Sequence, residues 1–526
     1  MKIKNSIYLL IFSMAILLPL ACKDYLDETD TRSVSEESLF NKPEDGVRLV
    51  NAIYDTFHND DYMNKSLWYS ANFLSQDFHN YGADVFYETY EVPANFAPLN
   101  VAWVRSYQGI ARANSAIPII AQMKTDGVLD EALANRLTGE AYFLRGVFYY
   151  YLASMFGGVP LELQTVTDEG RHPRNTQDEV FASIVTDMQM AADLLPWRED
   201  LGVENTGRAT KGAALAYKGS AQMWLKQYPD AIATFNQLEG KYQLMEKFID
   251  IHEYSKMNNQ ESIFEVQLLE GADQSWGHAN DAIWFSSFHM PEEVSNFGYS
   301  YADPKLYDSF EAGDQRKLAT VIGPGDEHPS PAIEIKNYPK VQEQFGGINT
   351  LGRKTVPSIP ESHPHYEKKL KQFWWRGPDS LRSGYYSVKT WRDPNVRGST
   401  GVPQTIFGGQ NVIMMRLGEV LLSKAEAMWR TGDEAGARDI VNNVIRKRAG
   451  LGPVDASTSF NTVIINEYRH ELSGEMSFWF LVRRTGEHIN YVKNEFNITI
   501  PNGKDILPIP QEAILNNSTL EQNPGY

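Results

Sequence analysis

The sequence contains a single cysteine, Cys22, in 526 residues. One thiol cannot form an intrachain disulfide or a multi-thiolate metal site, which excludes the small disulfide-stabilised scaffolds and the thiolate zinc modules. Positive charge is also scarce, because 49 Lys and Arg stand against 67 Asp and Glu, for a net charge of −18. A protein of this charge repels polyanions, so we expect no nucleic-acid partner.

Long apolar runs are missing except at the N-terminus. Two lysines precede an apolar stretch at 7–20, which is the pattern of a secretory signal peptide and is shorter than a membrane span of roughly 20 residues. Cys22 follows the small residue Ala21 at the end of this stretch, as in lipoprotein signals whose cysteine is acylated. The sequence therefore predicts a signal peptide at 1–21 and a lipid-anchored tether at 22–42.

Motifs of catalytic and cofactor sites are absent as well. The sequence has no nucleophile-elbow serine, no H-E-x-x-H zinc motif, no phosphate-binding glycine loop and no dinucleotide fingerprint. We therefore expect a protein that is not an enzyme and that holds no cofactor and no metal. A pair of carboxylates for glycoside hydrolysis stays open, because its two members meet in space rather than in sequence. Calcium also stays open, because the scattered acids follow no recognised loop spacing.

Helical periodicity dominates two regions, 43–247 and 411–526. The spacing of apolar residues predicts helices over 99–123, 131–155 and 175–195, and a helical pair within 211–238. Three segments have the pattern of a tetratricopeptide-type hairpin, in which small residues let two helices approach closely. They are 131–156 with 178–195, 214–225 with 231–235, and 417–429 with 437–444. We therefore predict a mainly α fold of degenerate helical repeats.

The region between the helical blocks, 248–410, has a different character. Short alternating segments such as 262–268 are followed by many Pro, Gly and Trp residues, which predicts irregular loops with few short strands. A segment of this length is too long for a bare connection. We therefore expect an ordered, loop-rich lobe that rests on the helices and carries the ligand-binding site.

Aromatic residues concentrate in three clusters. They lie at 68–90, in a stretch without clean helical spacing, at 276–301, among acids and amides, and at 373–376, followed by Tyr385, Tyr386 and Trp391. Flat rings stack on the apolar faces of sugar rings, while neighbouring Asp, Asn and Arg side chains bind the hydroxyl groups. Such rings also pack a lobe onto helices. The clusters therefore predict at least one exposed platform rather than a ligand role for every ring.

Ordered short motifs run from one end of the chain to the other. They are Cys22 followed by DYLD at 24–27, GEAYFLR at 139–145, FGGVP at 156–160, GRATKGAA at 207–214, RLGEVLL at 416–422, KAEA at 424–427, RKRAGL at 446–451, LPIP at 507–510 and QNPGY at 522–526. In this order they resemble the SusD/RagB family, the lipid-anchored nutrient-binding proteins of the Bacteroidetes outer membrane. One departure is Gly418, which stands where the family usually has alanine.

The resemblance implies four tetratricopeptide-like units capped by an irregular ligand-binding lobe. It implies a non-catalytic, cell-surface lipoprotein that is anchored to the outer membrane by its acylated cysteine. Such a protein sits as a lid on a SusC-like TonB-dependent transporter and captures oligosaccharide or polysaccharide for it. The helical units would mainly contact the transporter, and the lobe would carry the ligand-binding arc.

The resemblance also guides the choice of ligand residues. By approximate position, the family's starch-binding arc corresponds to 77–90 and 276–301, and side-chain type selects the residues within these segments. The predicted ligand residues are the rings Tyr81, Trp276 and Trp284, the polar partners Asp77, Asn80 and Asp281, and, in reserve, Trp374, Trp375 and Arg376.

Two other functions remain open from the sequence. One is capture of peptides on the same scaffold, as in a RagB-like protein, and the other is surface glycoside hydrolysis. The acidic charge favours neutral or basic ligands without deciding between glycan and peptide. The identity of a glycan depends on ring curvature and hydrogen-bond placement, which one sequence does not fix.

Overall fold

The computed structural model describes residues 40–80, 85–268, 288–291, 294, 298–337, 383–391 and 409–526. The α-helices are α1 (Pro43–Tyr54), α2 (Tyr69–Asn72), α3 (Phe86–Thr89), α4 (Ala97–Thr125), α5 (Glu131–Phe156), α6 (Gln177–Leu194), α7 (Lys211–Trp224), α8 (Tyr228–Asn236), α9 (Pro304–Ser309), α10 (Arg316–Thr320), α11 (Leu417–Arg430), α12 (Glu434–Asp439), α13 (Phe460–Leu472), α14 (Phe478–Thr485), α15 (His488–Phe496) and α16 (Gln511–Asn516). Two π-helices lie at Asp61–Trp68 and Ile440–Arg446. The strands are β1 (Phe78–Asn80), β2 (Ser262–Val266), β3 (Ser300–Ala302), β4 (Val321–Ile322), β5 (Tyr386–Ser387) and β6 (Val412–Arg416).

The prediction of a mainly helical chain with few short strands is confirmed. The periodicity that predicted a helix over 99–123 corresponds to α4, and the segments at 131–155 and 175–195 correspond to α5 and α6. Local capping sets some of these boundaries. Before α6, the Thr176 hydroxyl accepts from the Glu179 backbone N–H, and the Glu179 carboxylate accepts from the Thr176 N–H.

The three predicted helical hairpins are present, and glycines allow their helices to pack closely. In α7, a Cβ at position 219 would lie 2.7 Å from Cδ1 of Phe235 in α8, so only glycine admits this ring. In α5, a Cβ at position 146 would lie 2.7 Å from the Met188 methyl group in α6. The third hairpin pairs α11 with α12 and the π-helix that follows it.

The described sheets are all two-stranded and antiparallel, in the pairs β1 with β3, β2 with β6 and β4 with β5. In the second pair, Ser262 lies opposite Arg416 and Val266 opposite Val412. The chain therefore leaves the helices along β2 and returns along β6, beside its point of departure. This pairing brings the two ends of the segment 267–411 together.

Buried charges join this pair of strands to the C-terminal helices. The fully buried Arg416 guanidinium donates to Glu261, Glu471 and Glu475 at 2.7, 2.7 and 2.8 Å. The glycine at position 418 follows from this cluster, because a Cβ there would lie 2.6 Å from Oε1 of Glu471 and closer still to the guanidinium. The departure from the family's usual alanine is thus a packing requirement.

The stretch that showed no clean helical spacing includes helix. The π-helix Asp61–Trp68 runs directly into α2, so the first residues of the 68–90 cluster are helical. A π-helix has more residues per turn than an α-helix, which is why a search at a period of 3.6 misses it. Within the described ranges, no helix combines the length and the apolar character needed to cross a membrane.

Candidate functional site

The described residues include two of the predicted ligand residues, Asp77 and Asn80. The remaining predicted residues, and the predicted lipidation site, lie outside the described residues: Tyr81, Trp276, Trp284, Asp281, Trp374, Trp375, Arg376 and Cys22. The candidate site therefore consists of the described residues that flank them.

The pairing of β1 with β3 joins the two segments of the predicted arc. Phe78 lies opposite Ala302, His79 opposite Tyr301 and Asn80 opposite Ser300. β1 belongs to the segment 77–90, and β3 begins in the segment 276–301. The described parts of two segments that are far apart in the sequence thus lie side by side.

His79 connects both strands to their flanking elements. Its Nδ1 lies 3.0 Å from a carboxylate oxygen of Glu88, and its Nε2 lies 3.0 Å from a carboxylate oxygen of Asp303. Burial disfavours the imidazolium, but the hydrogen bonds and charges of these two carboxylates outweigh it and raise the pKa of His79 to about 9. Both ring nitrogens therefore donate at neutral pH. Glu88 also accepts from the Asn80 backbone N–H at 2.5 Å, so this ion triad fixes the end of β1.

The structure contradicts the ligand role predicted for Asp77. Its side chain is fully buried, and Oδ1 accepts from Arg469 at 2.7 Å and from Tyr491 at 3.0 Å. Its Oδ2 accepts from Ser473 at 2.8 Å. No carboxylate oxygen is left exposed for a sugar hydroxyl. Sequence reasoning took Asp77 for a surface acid because its buried partners lie near the other end of the chain.

Asn80 occupies the last position of β1 and is 6% exposed. Its backbone is held by Glu88 on one side and by the β3 pairing on the other. It therefore stands at the edge of the predicted arc, directly before Tyr81 in the sequence. Its role as a hydroxyl partner stays a prediction.

Most described rings of the 68–90 cluster are core residues. The rings exposed by 1% or less are Trp68, Tyr69, Phe73, Phe78, Tyr87 and Tyr90. Trp68, for example, packs edge-on against Phe73 and donates its indole N–H to the backbone oxygen of Gly474 at 2.9 Å. Phe86 is the exception, with 36% of its surface exposed. These rings thus attach the site to the helices rather than meet a ligand.

Half-buried tyrosines surround β3 and keep accessible surface. They are Tyr299, Tyr301, Tyr307 and Tyr385. Tyr301 faces the His79 ring at 5.7 Å, and Tyr307 packs against Tyr385 at 5.0 Å. The Tyr385 backbone oxygen accepts from the Ala302 N–H at 2.8 Å, which places this tyrosine beside the strand. Sequence reasoning missed Tyr307 because it stands outside the aromatic clusters. It missed the ion triad because His79 and Asp303 are far apart in the sequence.

The described side chains also bear on metal binding. Among them, no cluster of three or more His, Cys, Asp and Glu residues has the geometry of a metal site. His79, with its two carboxylates, is an ion triad whose nitrogens both donate hydrogen bonds.

The helical hairpins and the short paired strands define a mainly helical scaffold, and comparison with known proteins identifies its family. Residues 260–526 match the family model described as the SusD family. Residues 5–220 match a SusD-like model described as starch-binding and associating with the outer membrane. Because the first match covers just over half of the chain, the chain belongs to the SusD family.

Curated relatives align over nearly the whole chain. A SusD-like protein of Formosa agariphila is 23% identical over 99% of this chain and 99% of its own. A SusD-like protein of Bacteroides ovatus is 24% identical over 91% of this chain and 82% of its own.

Solved structures share the fold. A SusD-like protein from Bacteroides fragilis superposes with a TM-score of 0.73 at 22% identity, over 94% of this chain and 99% of the other. A laminarin-binding SusD-like protein gives 0.70 at 23% identity, over 92% and 100%. Surface glycan-binding protein A from Bacteroides thetaiotaomicron, in complex with laminarihexaose, gives 0.70 at 20% identity, over 91% and 99%.

Proposed function

We propose that this chain is a cell-surface glycan-binding lipoprotein that captures oligosaccharide or polysaccharide and passes it to a SusC-like TonB-dependent transporter. The pairing of β1 with β3 carries the proposal, because it joins the two segments in which stacking rings and hydroxyl partners were predicted. Family membership supports the ligand class and an association with the outer membrane. The predicted acylation of Cys22 would supply the anchor.

Capture in this proposal needs no reacting group. Half-buried rings such as Tyr301 offer flat apolar surface for stacking, together with the predicted Trp276 and Trp284. The ion triad of His79 holds the two strands in place before the ligand arrives, which lowers the entropy cost of binding. The protein would bind the glycan and leave its bonds intact.

The first test is affinity electrophoresis of residues 23–526 against a panel of polysaccharides. Two of the similar structures are described with laminarin or laminarihexaose, so the panel should include neutral β-glucans. We expect one glycan to retard the protein, and Trp276→Ala, Trp284→Ala or Tyr301→Ala to reduce the retardation. Trp197→Ala is the matched control, since this ring lies between α6 and α7 against Lys241.

Three outcomes would contradict parts of the proposal. Retardation by no glycan, together with binding of peptides, would favour peptide capture. Turnover of an oligosaccharide that is lost on substitution of one carboxylate would favour a hydrolase. If the tagged full-length chain, extracted from outer membranes in detergent, brings down no TonB-dependent transporter, delivery to that partner is wrong.

A further inference from the structure

A groove of about 540 Å³ lies between α4, the loop that follows α5, and α16. We term it the helix groove. Trp103 and Tyr107 of α4 line it on one side, with Gln164 of the loop and Asn516 of α16 on the other sides. Its volume is in the range of small-molecule sites, about 300–1,000 Å³.

Hydrogen bonds hold the walls of the helix groove in place. The Tyr107 hydroxyl donates to the Pro160 backbone oxygen at 2.7 Å, which joins α4 to the loop. The Asn114 amide donates to the Glu162 backbone oxygen at 2.8 Å. The Asn517 amide donates to the His172 backbone oxygen at 2.8 Å, which joins the loop to the segment after α16. The groove is therefore preformed.

Two exposed carboxamides give the helix groove neutral donors and acceptors. Gln164 and Asn516 are exposed, and their side-chain amides make no hydrogen bond within the described part of the chain. The half-buried Tyr107 ring, which packs 5.1 Å from the buried Trp103 ring, adds apolar surface beside these amides. Apolar surface next to carboxamides is the combination that recognises a polyhydroxylated ring.

The charge of the helix groove selects against anions. Glu162, Glu169 and Glu512 line it, and none of its described lining residues is Lys or Arg. A sulfated or carboxylated sugar would meet repulsion there, whereas a neutral sugar would find acceptors for its hydroxyl groups.

One end of the helix groove lies near the predicted arc. The exposed Phe86 ring packs edge-on against Phe96 at 5.2 Å, and Phe96 directly precedes α4. Asn100, one turn into α4, donates to Glu512 of α16 at 2.9 Å, at this end of the groove. From there the groove follows α4 to Ser115, about 20 Å at 1.5 Å per residue.

We propose that the helix groove is a second binding site for a neutral oligosaccharide, separate from the arc around β1 and β3. The inference rests on the proposed glycan-binding function for its ligand class. A polysaccharide long enough to reach from Phe86 along α4 occupies both sites, and a short oligosaccharide fills each site independently.

The test measures stoichiometry by isothermal titration calorimetry, with the glycan retained in the electrophoresis panel as the probe. Ala111→Trp places a large ring in the helix groove at an exposed position, and Ala121→Trp adds the same ring to an exposed position of α4 outside it. Gln164→Ala removes one free amide without a bulky side chain. We expect a short oligosaccharide to bind at two sites in the wild type and in Ala121→Trp, and at one site in Ala111→Trp.

Ala111→Trp should weaken binding of the polysaccharide by about tenfold or more, because the linked second site is lost. Gln164→Ala should weaken this binding by a smaller factor. One site in the wild type, or an equal loss in Ala111→Trp and Ala121→Trp, would overturn the inference while leaving the arc intact. An unchanged glycan stoichiometry in Ala111→Trp with loss of transporter co-purification would overturn it in favour of a protein-docking groove. Absence of all glycan binding in the wild type would instead overturn the proposed function itself.

Discussion

Arg469 offers an internal comparison of a buried and an exposed ion pair. One side of its guanidinium donates to the fully buried Asp77, and the other donates to Glu495, whose side chain is 40% exposed. Asp77→Ala would leave the guanidinium without its buried partner, at a cost of about 3–5 kcal/mol in the free energy of unfolding. Glu495→Ala removes a partner that water replaces, at a cost of about 0–1 kcal/mol.

The assay is urea unfolding of residues 23–526, followed by far-ultraviolet circular dichroism for the wild type and both variants. We expect a much lower unfolding midpoint for Asp77→Ala and a midpoint near the wild type for Glu495→Ala. Equal midpoints for the two variants would refute the burial argument. If Asp77→Ala is as stable as the wild type but no longer binds glycan, Asp77 is a ligand residue and the burial argument is wrong.

Three further predictions concern the ion triad, the buried cluster and the anchor. The pKa of His79 is raised from 6.5 to about 9, so protonated His79 stabilises the folded state fully below pH 6.5, and this stabilisation is lost as the pH rises through 9. The difference in the free energy of unfolding between the wild type and His79→Gln, measured by urea unfolding, should therefore shrink between pH 6.5 and 9. Gly418→Ala should lower the free energy of unfolding by about 1–3 kcal/mol, because its methyl group would press on Arg416 and Glu471. Cys22→Ala should release the protein from the membrane fraction without changing its circular dichroism spectrum, and unchanged retention would contradict lipidation as the only tether.

The helices could be predicted where the local spacing of apolar residues follows the helical period. Helix α4 was expected at 99–123 and spans Ala97–Thr125, because its apolar residues recur at three and four along one chain segment. The hairpin of α7 and α8 was equally visible, since its small residues and its turn are neighbours in the sequence. The π-helix Asp61–Trp68 was missed because its spacing differs from the period that was searched.

The candidate site depends on contacts that no local pattern contains. Asp77 and Asn80 are three residues apart and of similar polarity, yet Asp77 is bound by Arg469 in the interior while Asn80 ends a strand beside β3. The different contacts of these two side chains are made with residues hundreds of positions away in the sequence. The ion triad of His79 has the same origin, since Asp303 reaches it only through the pairing of β1 with β3. Residue type could suggest the region but not the role of each side chain.

The buried cluster around Arg416 joins the paired strands β2 and β6 to the helical scaffold. Loops alone would lose conformational entropy on binding, which weakens capture. Here Arg416 stands on β6, Glu261 directly precedes β2, and Glu471 belongs to α13, so one guanidinium ties both strands to a helix of the scaffold. Arg448 also contacts Glu261 and Glu471, so several buried charges share the same partners. Removing the Arg416 charge would leave its buried carboxylates with fewer cationic partners. Both strands are therefore anchored in the helical scaffold, and the proposed function needs such an anchor because a preorganised site lowers the entropy cost of binding.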